Sequence, residues 1–119
     1  MAKLTFQCGC SFEIIKEFED GRTPLVKFNI NDINYECEAT WKTLSDGLNA
    51  GIFQLESKLG KHYVKELRPS CMDHLSSLGT LLRPGALDCR DEKGTNATQH
   101  YCLRKNGQEE VVYLHPELE

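Results

Sequence analysis

The sequence predicts an α+β fold, a small N-terminal antiparallel sheet followed by a mainly helical part. Three observations carry that expectation. Residues 3–30 alternate apolar and polar side chains, the two-residue period of a half-buried strand. From about Glu38 the apolar residues recur at helical spacing instead. With 119 residues, 39% hydrophobic and 27% charged, the chain suits one soluble domain, which at this size buries about two thirds of its unfolded surface.

The elements follow in order. Leu4, Phe6 and Cys8 share one face of the first strand, with Thr5 and Gln7 on the other. Ser11 to Phe18 and Leu25 to Ile30 repeat the alternation, and Asp20-Gly21 marks a turn between them. A short helix comes next, with Ala39, Trp41, Leu44 and Leu48 as its expected buried positions and a stop near Asp46-Gly47. Trp41 reads as a core anchor in preference to a base-stacking platform. Residues 51–57, Gly-Ile-Phe-Gln-Leu-Glu-Ser, read as an extended approach to the second helix, with Phe53 and Leu55 anchored in the core.

The second helix, Ser57 to Arg68, places Lys58, Lys61, Lys65 and Arg68 within an arc of ~80°, opposite Leu59, Tyr63, Val64 and Leu67. Pro69 ends it. Ser70, with Asp73 three residues later, makes a capping start for a third helix whose core side carries Cys71, Leu75, Leu78, Leu81 and Leu82. Arg83-Pro84-Gly85 breaks that pattern, and residues 88–96 form a charged loop. A last helix runs from about Asn96 to Lys105, stopped by Asn106-Gly107, and residues 111–113 are extended. Pro116, Glu117 and Glu119 suit the first turn of a helix that has no body, so the chain is expected to be a fragment or one half of a split protein. Residues 1–37 are expected to form a β-rich, cysteine-containing segment and residues 38–119 a helical one, within one compact unit.

A net charge of −4 excludes indiscriminate nucleic-acid binding by the whole surface, so the placement of the cations matters more than their number. The four on the second helix can neutralise phosphates along a strand, and Arg83, Arg104 and Lys105 can extend that path. An ordinary solvated helix face explains the four equally simply. No run approaches the ~18 apolar residues of a membrane span, and the N-terminus lacks the apolar core of a signal peptide. A cytoplasmic location without membrane contact, and reduced cysteines, follow as expectations.

Cys8, Cys10 and Cys37 are the candidate metal ligands: three thiolates and one further donor suit tetrahedral zinc, with His62 or Cys71 as the candidates for the fourth place. Buried thiols are the alternative. Cys71 is best explained as core, and Cys89 and Cys102 carry no assigned role. The six cysteines and four histidines include no local activating motif, which argues against a thiol protease. Asn96-Ala97-Thr98 matches a glycosylation acceptor but reads more simply as a helix start.

Three stretches in this order, "GIFQLES" before the basic helix, "LRPSCMDHLSSLGTLLRPGAL" and "HYCLRKNGQEEVVYLHPELE", resemble the alpha subunit of bacterial DNA polymerase III, the C-family replicative polymerase. The resemblance covers about Thr40 to Glu119, and "CGCSF" with "INYECEATW" is similar to the phage-encoded branch. It implies a segment at the palm-to-fingers junction that contributes DNA and nucleotide contacts in replication, with DNA, the remaining polymerase polypeptide and other replisome proteins as partners. It also implies magnesium in the complete polymerase, held by an Asp-x-Asp pair and a Lys-x-Asp site. This chain has no Asp-x-Asp, and Lys27-Phe28-Asn29 stands where a Lys-x-Asp would, with an amide in place of the carboxylate and Asp32 the nearest acid. No catalytic residue is therefore assigned, magnesium is not expected on this chain alone, and the isolated chain is expected to be inactive. A non-catalytic phage module that binds DNA or a replisome protein is the alternative function.

Overall fold

The computed structural model describes residues 2–118. They fall into two compact units, the first ending at Ala39 and the second beginning at Thr40.

The first unit is a three-stranded antiparallel sheet in the order β1 (Lys3–Thr5), β2 (Ser11–Lys16), β3 (Leu25–Val26). β1 and β2 form a hairpin in which Leu4 faces Phe12 and Thr5 faces Ser11. The register of β3 shifts between Ile14 and Lys16, so the pairing there is short. The alternation seen in the sequence is realised over these strands, but after the Lys27 N–H donates to the Glu13 carbonyl (2.8 Å) residues 28–30 leave the sheet. Asn29 caps a 3-10 turn over Ile30–Asp32 with its own side chain, a local bond that competes with strand continuation. Phe6, Ile15, Leu25, Phe28, Ile30 and Tyr35 are all exposed, and Cys37 is the one buried apolar residue of this unit among those described.

The second unit is helical: α1 (Glu38–Ser45, which begins at the end of the first unit), α2 (Lys58–Leu67), α3 (Met72–Leu81), α4 (Pro84–Asp88) and α5 (Ala97–Lys105). Trp41, Leu44, Leu55, Tyr63, Val64, Leu67, Leu78 and Cys102 form one core, lined further by Leu75, Leu82, Leu87 and Tyr101. Two buried polar side chains tie the helices together. Asn96 Nδ2 donates to the Tyr63 hydroxyl (2.9 Å), and Thr98 Oγ1 donates to the Leu81 carbonyl (2.7 Å), so both groups are satisfied where burial would otherwise penalise them.

Several expectations need correction. Ala39, in the first turn of α1, is exposed, and so is Leu48, because α1 stops at Ser45 and Gly47, at φ +76°, turns the chain before Leu48 can continue the buried stripe. Residues 51–57 are a series of turns and are not extended. Gly51 and Gln54 both have positive φ, which coils the backbone and cancels the alternation. Leu55 is therefore 8% exposed, whereas Phe53 is 83% exposed and anchors nothing. Leu59 is also exposed, and its place on the buried face of α2 is taken by Gly60. A Cβ on Gly60 would come within 2.7 Å of the Leu55 carbonyl oxygen, so the turn packs directly on the helix backbone. Cys71, and not Ser70, is the N-cap of α3, and the Ser70 N–H instead donates to His74 Nδ1 (3.2 Å). The α3 pattern does end before Arg83-Pro84-Gly85, with Leu82 as its C-cap, but Pro84 also opens a further short helix, α4, at a first-turn position.

Candidate nucleic-acid interface and thiol cluster

α2 is held at both ends. Ser57 Oγ accepts from the Gly60 N–H (3.0 Å) at its start, and Arg68 closes it in the left-handed conformation, its N–H donating to the Val64 carbonyl (2.9 Å). Asn106 Nδ2 reaches across from the end of α5 to the Glu66 carbonyl (2.7 Å). Burial of Gly60, Tyr63, Val64 and Leu67 fixes the rotation of the helix about its axis. Lys58, Lys61 and Lys65 consequently all face solvent, and Arg68 beside them is exposed too. None of these four forms an ion pair with a described residue.

The structure separates the other three predicted cations. Arg83 is exposed and lines an open hollow of about 300 Å³ with Gln54, Ser57, Leu59 and Gly60, which puts it at the N-terminal end of α2. Arg104 is paired through Nη2 with Glu109 (2.8 Å). Lys105 turns inward: its ammonium donates to the Leu67 carbonyl (2.9 Å), to the Arg68 carbonyl and to Asn106 Oδ1 (3.3 Å). It caps the C-terminal end of α2, where a cation is favoured by the helix dipole. Burial lowers its pKa, as it does that of His74 nearby. Sequence spacing could not reveal this role, because Lys105 and Leu67 meet only through packing of α5 on α2.

The thiol cluster lies within the first unit. Cys8 and Cys10 sit on the turn between β1 and β2, closed by hydrogen bonds from the Phe6 N–H to the Cys10 carbonyl and from the Gly9 N–H to the Phe6 carbonyl (both 2.9 Å). Gly9 supplies the φ of +87° that this knuckle requires. The chain returns Cys37 to the same place, and the Sγ atoms of Cys8, Cys10 and Cys37 all lie within 4.8 Å of one another. Asn34 Nδ2 donates to Cys10 Sγ (3.7 Å). Hydrogen bonds with the Cys8 and Cys37 thiols push the Cys10 pKa up. None of the six cysteines is in a disulfide, and this is the one cluster of three possible metal ligands among the described residues. His62 and Cys71, the candidates for a fourth ligand, do not join it. Cys102, for which the sequence suggested no role, is core, and burial pushes its thiol up to about 11.

A row of unneutralised cations on a helix anchored by its opposite face is, electrostatically, a surface for polyanions. The comparisons with known proteins give the family. The model of the bacterial DNA polymerase III alpha subunit finger domain matches residues 11–119, and the chain belongs to that family. The match extends the resemblance back from Thr40 to β2. The DNA polymerase III subunit alpha of Pseudomonas aeruginosa is 32% identical over 107 residues, and that of Aquifex aeolicus 34% over 107. Each alignment takes in 90% of this chain but only 8% of the relative. An error-prone DNA polymerase of Symbiobacterium thermophilum is 35% identical over 94 residues, 75% of this chain and 8% of that protein. The chain thus spans about a twelfth of the length of these relatives, 8% in each case.

Proposed function

We propose that the chain serves DNA replication as a fingers segment of a C-family polymerase, touching the phosphates of primed DNA through Lys58, Lys61, Lys65, Arg68 and Arg83. One observation carries this reading: the lysines of α2 are all exposed and without carboxylate partners among the described residues, while the opposite face of the same helix is fixed in the core. Lys105 is left out because its ammonium is committed to the end of α2, and Arg104 because Glu109 neutralises it. The partners in this reading are DNA, the remaining polymerase polypeptide and other replisome proteins, in the cytoplasm. No helix among the described residues is long and apolar enough to cross a membrane.

The residues present do not fit catalytic magnesium. Asn29 Oδ1, the one side-chain oxygen the Lys-x-Asp position could offer, accepts from the Asn31 N–H (3.0 Å). The described residues bring no three carboxylates together. Nucleotidyl transfer therefore falls to other parts of the polymerase. The donor set of Cys8, Cys10 and Cys37 fits zinc, which takes thiolate ligands readily, and zinc is the cofactor proposed for this chain.

The DNA reading is tested by reversing Lys58, Lys61 and Lys65 to Glu together and titrating primed DNA by fluorescence anisotropy across a range of salt. Loss of three phosphate contacts flattens the dependence of log K on log salt by about 2.7 and weakens binding at every salt concentration tested. The exposed positions leave the helical circular dichroism unchanged. Binding identical to that of the unmodified chain would remove the proposal.

A further inference from the structure

We infer that zinc binding and folding of the first unit are a single event, so that this part of the chain is ordered only while the three thiolates hold the metal. The inference rests on the zinc reading above and deepens it. Its physical basis is the scarcity of buried apolar surface in that unit among the described residues, where the other contacts, such as Phe6 against Phe12 and Arg22 over Phe18, lie at the surface. Residues 2–39 bury a single apolar side chain, that of Cys37 itself, while Phe6, Ile15, Leu25, Phe28, Ile30 and Tyr35 remain exposed. Three short strands with a shifted register add little. Units of this length do not ordinarily bury enough surface to offset their chain entropy, and a structural metal is one of the usual supplements.

The thiols are placed to act as that supplement. Two sit on the knuckle of the β1–β2 hairpin and the third more than twenty-five residues on, so one ion closes the chain from Cys8 to Cys37 around both hairpin turns. On binding, the three thiols release their protons to solvent and become thiolates, and the positive ion replaces the mutual crowding of three sulfur atoms with three bonds. The Asn34 amide, already donating to Cys10 Sγ, is positioned to stabilise the sulfur charge. Among the described residues no fourth histidine, cysteine or carboxylate joins the group, so the fourth zinc position is assigned to a water molecule or another small solvent donor.

The test uses the full chain, kept reduced, with zinc as the probe. Metal content is measured after purification without chelator, and backbone amide spectra are recorded with zinc and again after chelation. Equimolar zinc is expected. Chelation should collapse the amide signals of Lys3–Thr5 and Ser11–Lys16 to random-coil positions while those of Val64, Leu67 and Leu78 stay in place. Zinc should restore them, and cobalt should give thiolate-to-metal charge-transfer absorption.

Cys37→Ser should lower zinc affinity by more than about 100-fold and Cys37→His should recover part of it, with Cys89→Ser as the silent control. Equimolar zinc with identical spectra before and after chelation would overturn the coupled folding and leave the zinc reading standing. Failure to retain zinc would overturn both. Neither result touches the DNA reading, whose test reads residues of the second unit.

Discussion

His100 is held between two carboxylates. Its Nδ1 contacts Glu109 Oε2 at 2.7 Å and its Nε2 contacts Asp91 Oδ2 at 3.1 Å, an arrangement in which both nitrogens donate only if the ring is protonated. The hydrogen bond to Glu109 is the main cause that raises the His100 pKa above its ordinary 6.5. Glu109 is lowered from 4.5 mainly by the same bond, and Asp91 from 3.8 mainly by the Thr95 N–H. Arg104 also pairs with Glu109. The histidine contributes stability that is fully present below 6.5 and is lost as pH rises through its raised folded value. The carboxylates contribute above their ordinary values and lose it on acidification. The urea midpoint should therefore fall as pH rises above 6.5 through the raised His100 value, and His100→Gln should flatten that fall. An unchanged slope in the variant would show that the bridge carries no linkage. None of this was legible in the sequence, because the 88–96 loop is folded back by Asp91 Oδ1, which accepts from the Lys93 and Thr95 N–H groups, and residue types alone do not specify that turn.

At the scale of elements, α5 shows what a local signal can specify. Asn96 accepts from the Gln99 N–H (2.8 Å), and Gln99 Oε1 accepts from the Asn96 N–H (3.0 Å), a reciprocal cap at the residue where the sequence marks a helix start. What it could not show is that the remaining Asn96 amide bonds Tyr63 across the core. Asn96→Ala should therefore cost more than a surface cap, about 2–4 kcal/mol: ~1 for the cap and about 1–3 for the buried hydroxyl left unpaired. Tyr63→Phe in the same background should recover part of it, and urea unfolding of the two single variants and the double variant measures the coupling. Elsewhere the same kind of signal is incomplete. Arg83-Pro84-Gly85 does end the α3 pattern, but first-turn proline is as much a start as a stop, and with the Arg83 backbone at ψ 151° it begins α4 as well. Residues 51–57 failed for a related reason. Side-chain alternation predicts an extended chain only where φ is negative, and Gln54 at φ +64° is a conformation that its residue type does not announce.

For the whole molecule, the change of period near Glu38 from two residues to that of a helix made the α+β order legible, and Tyr63, Val64 and Leu67 of the buried face of α2 followed from the same arithmetic, though Leu59 did not. Which apolar residues the sheet would leave uncovered was not legible, since alternation shows that a strand has two faces and not whether anything packs on either. That difference has a thermodynamic consequence. Among the described residues the buried apolar cluster lies wholly from Trp41 onward, and Trp41, the single tryptophan, reports on it. The chain should therefore depart from two-state unfolding. Trp41 fluorescence should give a denaturation midpoint that does not move with free zinc. The strand amides of Ser11–Lys16 should give one that rises with it, by the stability equivalent of ~2.7 kcal/mol when zinc reaches about a hundredfold over its dissociation constant. If both probes instead shared one midpoint at every zinc concentration, the sheet would be drawing its stability from the helical core, and the metal would decorate a fold it does not create.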